Sequence, residues 1–297
     1  MRTRLLAALA AVALATPAAA QPAAPPRFFV APAALAAELR GAQAPVLLDV
    51  GRPLATYDSA HIAGARHVQL VDVAIEKDGI AYELPGADTL RALFGGLGVD
   101  GTRPVVLYGE PLATARAFVA LDWLGQADRV RVLDGGLDAW RAAGLPLTFG
   151  AEPARRATLA APPRADLLVD AAWVDARRGD PAVAIIDARP LLEYTGATPG
   201  TGIARPGHIP GSPSLFWRRL LVEGTTALRP ETELRRLLEE AGAAPGDTVV
   251  AYCRTGMQAS WLYLVARALG YETRLYDGSY VDWARNPDRP TRAGRLP

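Results

Sequence analysis

The chain is poor in the residues that most often carry chemistry. Among 297 residues there is one cysteine, Cys253, one lysine, Lys77, and three histidines. A single cysteine excludes an internal disulfide and a cysteine-rich metal cage. A single lysine leaves Lys77 as the sole candidate for a Schiff base or a phosphate-gripping loop, and its setting, Glu76-Lys77-Asp78-Gly79, suits neither. His61, His67 and His208 lack the spacing of metal ligands, so neither a metal nor a cofactor is expected. Excess charge is lacking too. With 32 Lys and Arg against 31 Asp and Glu, a nucleic-acid partner is not expected, because neutralising phosphates takes a clustered positive excess. Beyond the amino terminus no apolar run is long enough to span a bilayer.

Apolar material is ample. Half of the residues are hydrophobic, enough for the cores of roughly two domains of about 100–200 residues each. Met1–Ala20 carries Arg2 and Arg4, the apolar run Leu5–Ala15 and a small-residue Ala-x-Ala end. This reads as a secretory signal cut after Ala20, and the run is too short for a spanning anchor. Losing two of the 32 basic residues leaves 30 against 31 acidic, a formal charge of −1. The mature protein is therefore expected to be periplasmic or secreted, off the membrane and in an oxidising compartment. A lone thiol is conspicuous there.

The chain also repeats itself. Val46-Leu47-Leu48-Asp49-Val50 matches Ala184-Ile185-Ile186-Asp187-Ala188, and His61-Ile62-Ala63-Gly64 matches His208-Ile209-Pro210-Gly211. Pro104–Tyr108 matches Thr248–Tyr252, and Leu133-Asp134-Gly135-Gly136 with Trp140 matches Tyr276-Asp277-Gly278-Ser279 with Trp283. Four matches in one order identify an internal duplication. The Ala- and Pro-rich stretches Gln21–Arg27 and Gly150–Arg164 lack a periodic pattern and read as a leader and a linker. The expected organisation is thus 1–20, a first domain at 27–149, a linker at 150–164 and a second domain at 165–297. Short apolar runs bounded by Asp, Gly and Pro read as strands buried on both faces. They alternate with helical patterns at Ala33–Arg40, Asp88–Leu97, Ala113–Leu124, Ala171–Arg178, Glu231–Ala241 and Gln258–Leu269. The fold class is α/β: two tandem domains, each a mainly parallel sheet flanked by helices.

In such sheets ligands bind beyond the carboxyl ends of strands, and Cys253 stands at one. The strand Thr248–Tyr252 runs into Cys253-Arg254-Thr255-Gly256-Met257-Gln258, and a helix follows from Ala259. A turn with glycine at its middle can direct successive amides inward, capped by a helix N-terminus. A thiol in that cup, with Arg254 beside it, is expected to have a lowered pKa. The equivalent of Cys253 in the first half is Gly109, followed by Glu110 and Pro111. That half has no nucleophile and is expected to serve as scaffold or as one wall of a cleft.

These residues resemble the tandem rhodanese-type sulfurtransferases. The resemblance covers essentially all of the mature chain. It rests on Asp187-Ala188-Arg189 with Glu193-Tyr194, Gly207-His208-Ile209-Pro210-Gly211, Tyr252-Cys253-Arg254-Thr255-Gly256 and Tyr276-Asp277-Gly278-Ser279 with Trp283. It implies two homologous domains, the second carrying one catalytic cysteine in a six-residue loop. The implied reaction moves the outer sulfur of thiosulfate onto Cys253 as a persulfide, releases sulfite, and passes the sulfur to cyanide or a thiol. The partners are then a small anionic donor and a thiol or cyanide acceptor; since the duplication supplies a two-domain cleft within one chain, a monomer is expected. Arg254, Thr255, Gly256, Met257 and Gln258 are the expected substrate contacts. Arg189 has two open readings, a fork for a sulfonate-like anion or an ion pair with Asp187 or Glu193. Two positions depart from the animal thiosulfate enzymes: Glu193 and Thr255 stand where those place cations. The mercaptopyruvate-using branch carries an uncharged Cys-Gly-Ser-Gly loop, so Cys253-Arg254-Thr255-Gly256 looks closer to the thiosulfate branch.

Other classes fit less well. A phosphatase of the Cys-x5-Arg type needs Arg six residues after the cysteine, and Ala259 stands there. A cysteine hydrolase needs a histidine base, yet His61 and His208 are repeat equivalents, present with and without the cysteine. Gly95-Gly96-Leu97-Gly98 ends a helix and is not a dinucleotide fingerprint. Trp217, Trp261, Tyr263 and Trp283 read mostly as core. The alternatives that stay open are a 3-mercaptopyruvate sulfurtransferase and a non-enzymatic exported module that binds or senses sulfur.

Overall fold

A computed structural model describes residues 26–153 and 155–297; the expected signal at Met1–Ala20 lies outside them. The first domain holds β1 (Phe29–Val30), β2 (Val46–Val50), β3 (Ala65–Val68), an antiparallel hairpin of β4 (Ile75–Lys77) and β5 (Ile80–Glu83), then β6 (Val105–Gly109) and β7 (Val130–Leu133). The second holds β8 (Leu168–Val169), β9 (Val183–Asp187), β10 (Thr248–Tyr252) and β11 (Glu272–Tyr276). Two parallel sheets result, of order β1-β7-β6-β2-β3 and β8-β11-β10-β9. All five residues of β2 are buried, as expected of strands covered on both faces. Each of the six expected helices begins within two residues of its expected start. No helix among the described residues is long and apolar enough to cross a membrane.

The duplication survives in the packing. Asp49 is in register with Tyr108 across β2 and β6, as Asp187 is with Tyr252 across β9 and β10. Each tyrosine hydroxyl accepts the amide of Ile62 or Ile209, just after the repeat's histidine. Those histidines stack on Tyr57 and Tyr194, and each ring Nδ1 meets the carbonyl of the same tyrosine at 2.9 Å. Trp140 and Trp283 donate to the carbonyls of Pro146 and Pro290. The repeated residues are therefore structural pins.

The two domains share one core. A single cluster of buried side chains runs from Phe28, Leu48 and Phe118 in the first domain to Trp217, Trp261 and Leu264 in the second. At its centre the equivalent helices Pro111–Trp123 and Met257–Ala268 pack against each other, so Ala113 through Asp122 are all buried. Asp122, fully buried, accepts from Tyr263 Oη at 2.8 Å, Arg267 Nε at 2.9 Å and Arg164 Nη1 at 2.8 Å. Burial and this carboxylate hold the Tyr263 hydroxyl well above the ordinary range, so it remains a donor. The stretch after Gly150 packs on the first domain: Ala157 donates to the Gly95 carbonyl at 2.8 Å, and Leu159 is buried. A Cβ at Gly95 would stand 2.7 Å from the Ala157 carbonyl oxygen, so glycine there does more than end a helix.

Asp122→Ala leaves three donors around a buried void. The expected cost is about 3 kcal/mol, a fall in Tm on the order of 10 °C, with Asp122→Asn losing less. Calorimetry checks this, and a Tm within about a degree of wild type overturns the role given to Asp122.

Candidate active site

The helix pair brings two strand ends together. Cys253 follows β10, and the Gly109–Pro111 turn follows β6 at the start of the opposing helix. Between them lies a cavity of about 410 Å³. Cys253, Arg254, Thr255, Met257 and Gln258 line it from the second domain, while Gly51, Tyr82 and Glu110 line it from the first. The helix begins at Met257, not Ala259, because Gly256, at φ +84°, turns the chain sharply enough to start it early. A Cβ on Gly256 would lie 2.4 Å from Asp277 Oδ1, so no other residue fits. Gly109 is held as tightly. A Cβ there would meet the Val50 carbonyl oxygen at 2.1 Å, and the first domain has no room for a cysteine at the equivalent place.

The loop amides divide into two sets. Those of Thr255, Gln258 and Ala259 favour negative charge on the Cys253 sulfur, two of them from the first helical turn, where amides lack intrahelical partners. Those of Cys253 and Gly256 are held by Ser279 Oγ, at 3.2 and 3.1 Å, while that hydroxyl donates to the Tyr276 carbonyl. The carbonyls of Cys253 and Arg254 accept from Tyr280 and Val281. Ser279 thus holds the back of the loop and leaves the front amides for the sulfur. Its backbone is left-handed, φ +54°, and its repeat equivalent Gly136 has φ +57°. A non-glycine residue there is strained by roughly 1 kcal/mol, which the hydroxyl's two loop contacts offset. The sequence signal was the Gly136–Ser279 mismatch within a matched motif.

A second support comes from the first domain. Arg116, fully buried, donates to both Asp277 oxygens and to the Tyr82 carbonyl. Asp277 Oδ2 also accepts the Leu84 amide at 2.9 Å. One carboxylate therefore ties the β5 edge, which carries Tyr82 to the cavity, to the underside of Gly256.

Two expectations are corrected. Cys253 is 1% exposed, and burial pushes its thiol up from the ordinary range; the three amides oppose this and the Asp187 charge adds to it. Arg254, expected to stabilise the thiolate, directs Nη1 toward Glu193 Oε1 at 3.9 Å. Arg189 does not line the cavity. It is 1% exposed and donates to both Asp187 oxygens and to the Gly207 carbonyl, with its guanidinium over the Tyr280 ring. Of its two readings the structure shows the ion pair with Asp187. Gly256 shapes the loop without facing the cavity. Among the described residues no cluster of three or more His, Cys, Asp or Glu could hold a metal ion, and no histidine lines this cavity.

Removing the Ser279 hydroxyl leaves two loop amides without an acceptor. Ser279→Ala and Ser279→Gly should each slow alkylation of Cys253 by at least about tenfold, an amide pair being worth about 1–3 kcal/mol. The glycine variant, free of strain, should be the more stable by about 1 kcal/mol. Wild-type alkylation kinetics in the glycine variant would remove Ser279 from the site. For the wild type, a thiol pKa raised by burial leaves little thiolate near neutrality. Alkylation of sulfur-free protein should therefore still be accelerating at about pH 9, and a plateau reached below about pH 8 would reverse the direction given above.

A family model for the rhodanese-like domain matches twice, at residues 32–143 and 170–286. The chain is 35% identical over 247 residues to a Pseudomonas aeruginosa protein described as "Probable 3-mercaptopyruvate sulfurtransferase", covering 80% of this chain and 86% of that one. It is 31% identical over 264 residues to the thiosulfate sulfurtransferase of Azotobacter vinelandii, covering 88% and 95%. Among solved structures, YnjE superposes with a TM-score of 0.77 at 24% identity, over 90% of this chain and 68% of that one. The chain belongs to the rhodanese-like family, with one family domain in each half.

Proposed function

We propose that this sulfurtransferase takes the outer sulfur of thiosulfate onto Cys253. The observation that carries the reading is Cys253 on the cavity wall at the start of a helix, with three backbone amides that favour charge on its sulfur. Such a site stabilises negative charge on sulfur, and with no histidine on the wall it is built for nucleophilic attack and not for general-base hydrolysis. The Cys253 thiolate attacks the outer sulfur of thiosulfate. A new S–S bond forms, the S–S bond of thiosulfate breaks, and sulfite leaves with the bonding pair. The acceptor, cyanide or a thiol, then attacks the outer persulfide sulfur and regenerates the thiolate. Covalent storage makes the kinetics ping-pong. Relatives described as thiosulfate sulfurtransferases support this donor. A second reading, 3-mercaptopyruvate as donor, is favoured by the 35% identical relative. On the leader reading the reaction takes place outside the cytoplasm, and a cleft made by one chain suits a monomer.

Incubation with thiosulfate alone should add the mass of one sulfur to the wild type and none to Cys253→Ser. Sulfite release with cyanide as acceptor should fall at least about a thousandfold in that variant. Turnover unchanged by the substitution overturns the assignment of the nucleophile, and loading by 3-mercaptopyruvate but not by thiosulfate overturns the donor.

A further inference from the structure

The cavity holds one cation whose charge is not shared. Arg254 is engaged: its stem packs under Gly200, where a Cβ would stand 2.8 Å from Arg254 Cδ and 2.9 Å from Glu193 Oε2, and Nη1 lies 3.9 Å from Glu193 Oε1. Arg189 is spent on Asp187. Across the cavity the first domain presents Glu110, exposed and of the wrong sign for an anionic donor. The remaining charge on the wall is Arg218, in the 3₁₀ turn Trp217–Leu220. Its neighbours Arg219 and Arg229 face Glu240 and Glu233 at 3.8 and 3.0 Å. Arg218 has no carboxylate partner among the described residues; its guanidinium carbon lies 5.1 Å from the ring centre of Trp217, which also lines the cavity. A cation held on an aromatic face keeps its hydrogen-bond donors available.

We propose that Arg218 is the specificity-determining residue for donor charge, the contact that draws a dianionic sulfur donor past Glu110 toward Cys253. The proposal rests on the sulfurtransferase reading with thiosulfate as donor. A dianion entering without Arg218 meets one carboxylate and a guanidinium already facing another. With Arg218 the charge of Glu110 is offset, and the wall no longer repels a dianion. Because Arg218 is exposed, its pull is screened by salt, and because it lies on the approach to Cys253 and not in the loop, it acts on capture and leaves the chemical step unchanged.

The experiment compares thiosulfate and 3-mercaptopyruvate as donors to the full chain. Arg218→Ala should raise KM for thiosulfate by about tenfold with kcat within about twofold, and should flatten the dependence of kcat/KM on ionic strength. The effect on 3-mercaptopyruvate, with one negative charge, should be about threefold or less. Arg218→Lys should keep most of the thiosulfate affinity, since a point charge suffices for attraction. Glu110→Gln should shift KM for thiosulfate the opposite way, and Arg219→Ala, on the same turn, should leave it unchanged. If Arg218→Ala keeps the wild-type KM and salt profile while the wild type turns over thiosulfate, the proposal is overturned and the sulfurtransferase reading stands. If the wild type takes no sulfur from thiosulfate, the donor reading fails and takes this proposal with it.

Discussion

The site depends on two helices lying side by side. Pro111–Trp123 and Met257–Ala268 are repeat equivalents, each beginning where an inner strand of its sheet ends. Packing them together buries an almost continuous apolar surface, the term that dominates association of elements in water. It also brings the two strand-end turns face to face. The cavity is what is left between those turns, so its walls come from both halves by necessity. Charge at the seam fixes register: Asp122 collects three donors at one end, and Arg116 grips Asp277 beneath the Cys253 loop at the other. A buried ion pair specifies geometry more than it adds net stability, and here the geometry specified is the height of Gly256 beneath the cavity floor.

Duplication makes the molecule its own control. Both halves keep the aspartate–arginine pair, Asp49 with Arg52 and Asp187 with Arg189. Both keep the tyrosine–histidine stack and the tryptophan bonded to a proline carbonyl. What both retain concerns folding. What differs concerns chemistry: Gly109 against Cys253, Glu110 against Arg254, and Gly136 against Ser279. The last pair is the most telling, because the backbone angle is the same in both halves. Glycine meets that angle without strain, and the second half carries serine there regardless, with its hydroxyl on the two loop amides.

Much of this was legible in the chain. Buried parallel strands are continuous apolar runs, so β2, β9 and β10 stood out, and the repeat placed the loop at a strand end. The β4–β5 hairpin did not stand out, because its residues are mostly exposed and Glu76-Lys77-Asp78-Gly79 lacks apolar alternation. Its only signal is Asp78-Gly79, both at positive φ, the chemistry of a two-residue hairpin turn. The fate of Arg189 was undecidable from its position, since an aspartate two residues away and a distant carbonyl at Gly207 compete for it with any ligand. Arg218 lies outside the four segments matched between the repeats, and only the folded chain brings its turn to the cavity.

The thiol itself shows why local sequence misleads. A glycine turn, a helix N-terminus and an adjacent arginine all favour an anion, and each is present. Desolvation is a property of the whole fold, however, and a sulfur 1% exposed loses more solvation than three amides restore. In the proposed reaction the two effects belong to different moments. At rest a neutral buried thiol is a weak nucleophile and a poor target for oxidants. In the proposed reaction the small thiolate fraction attacks, and the amides stand in place for the negative charge on the sulfur that is then stored.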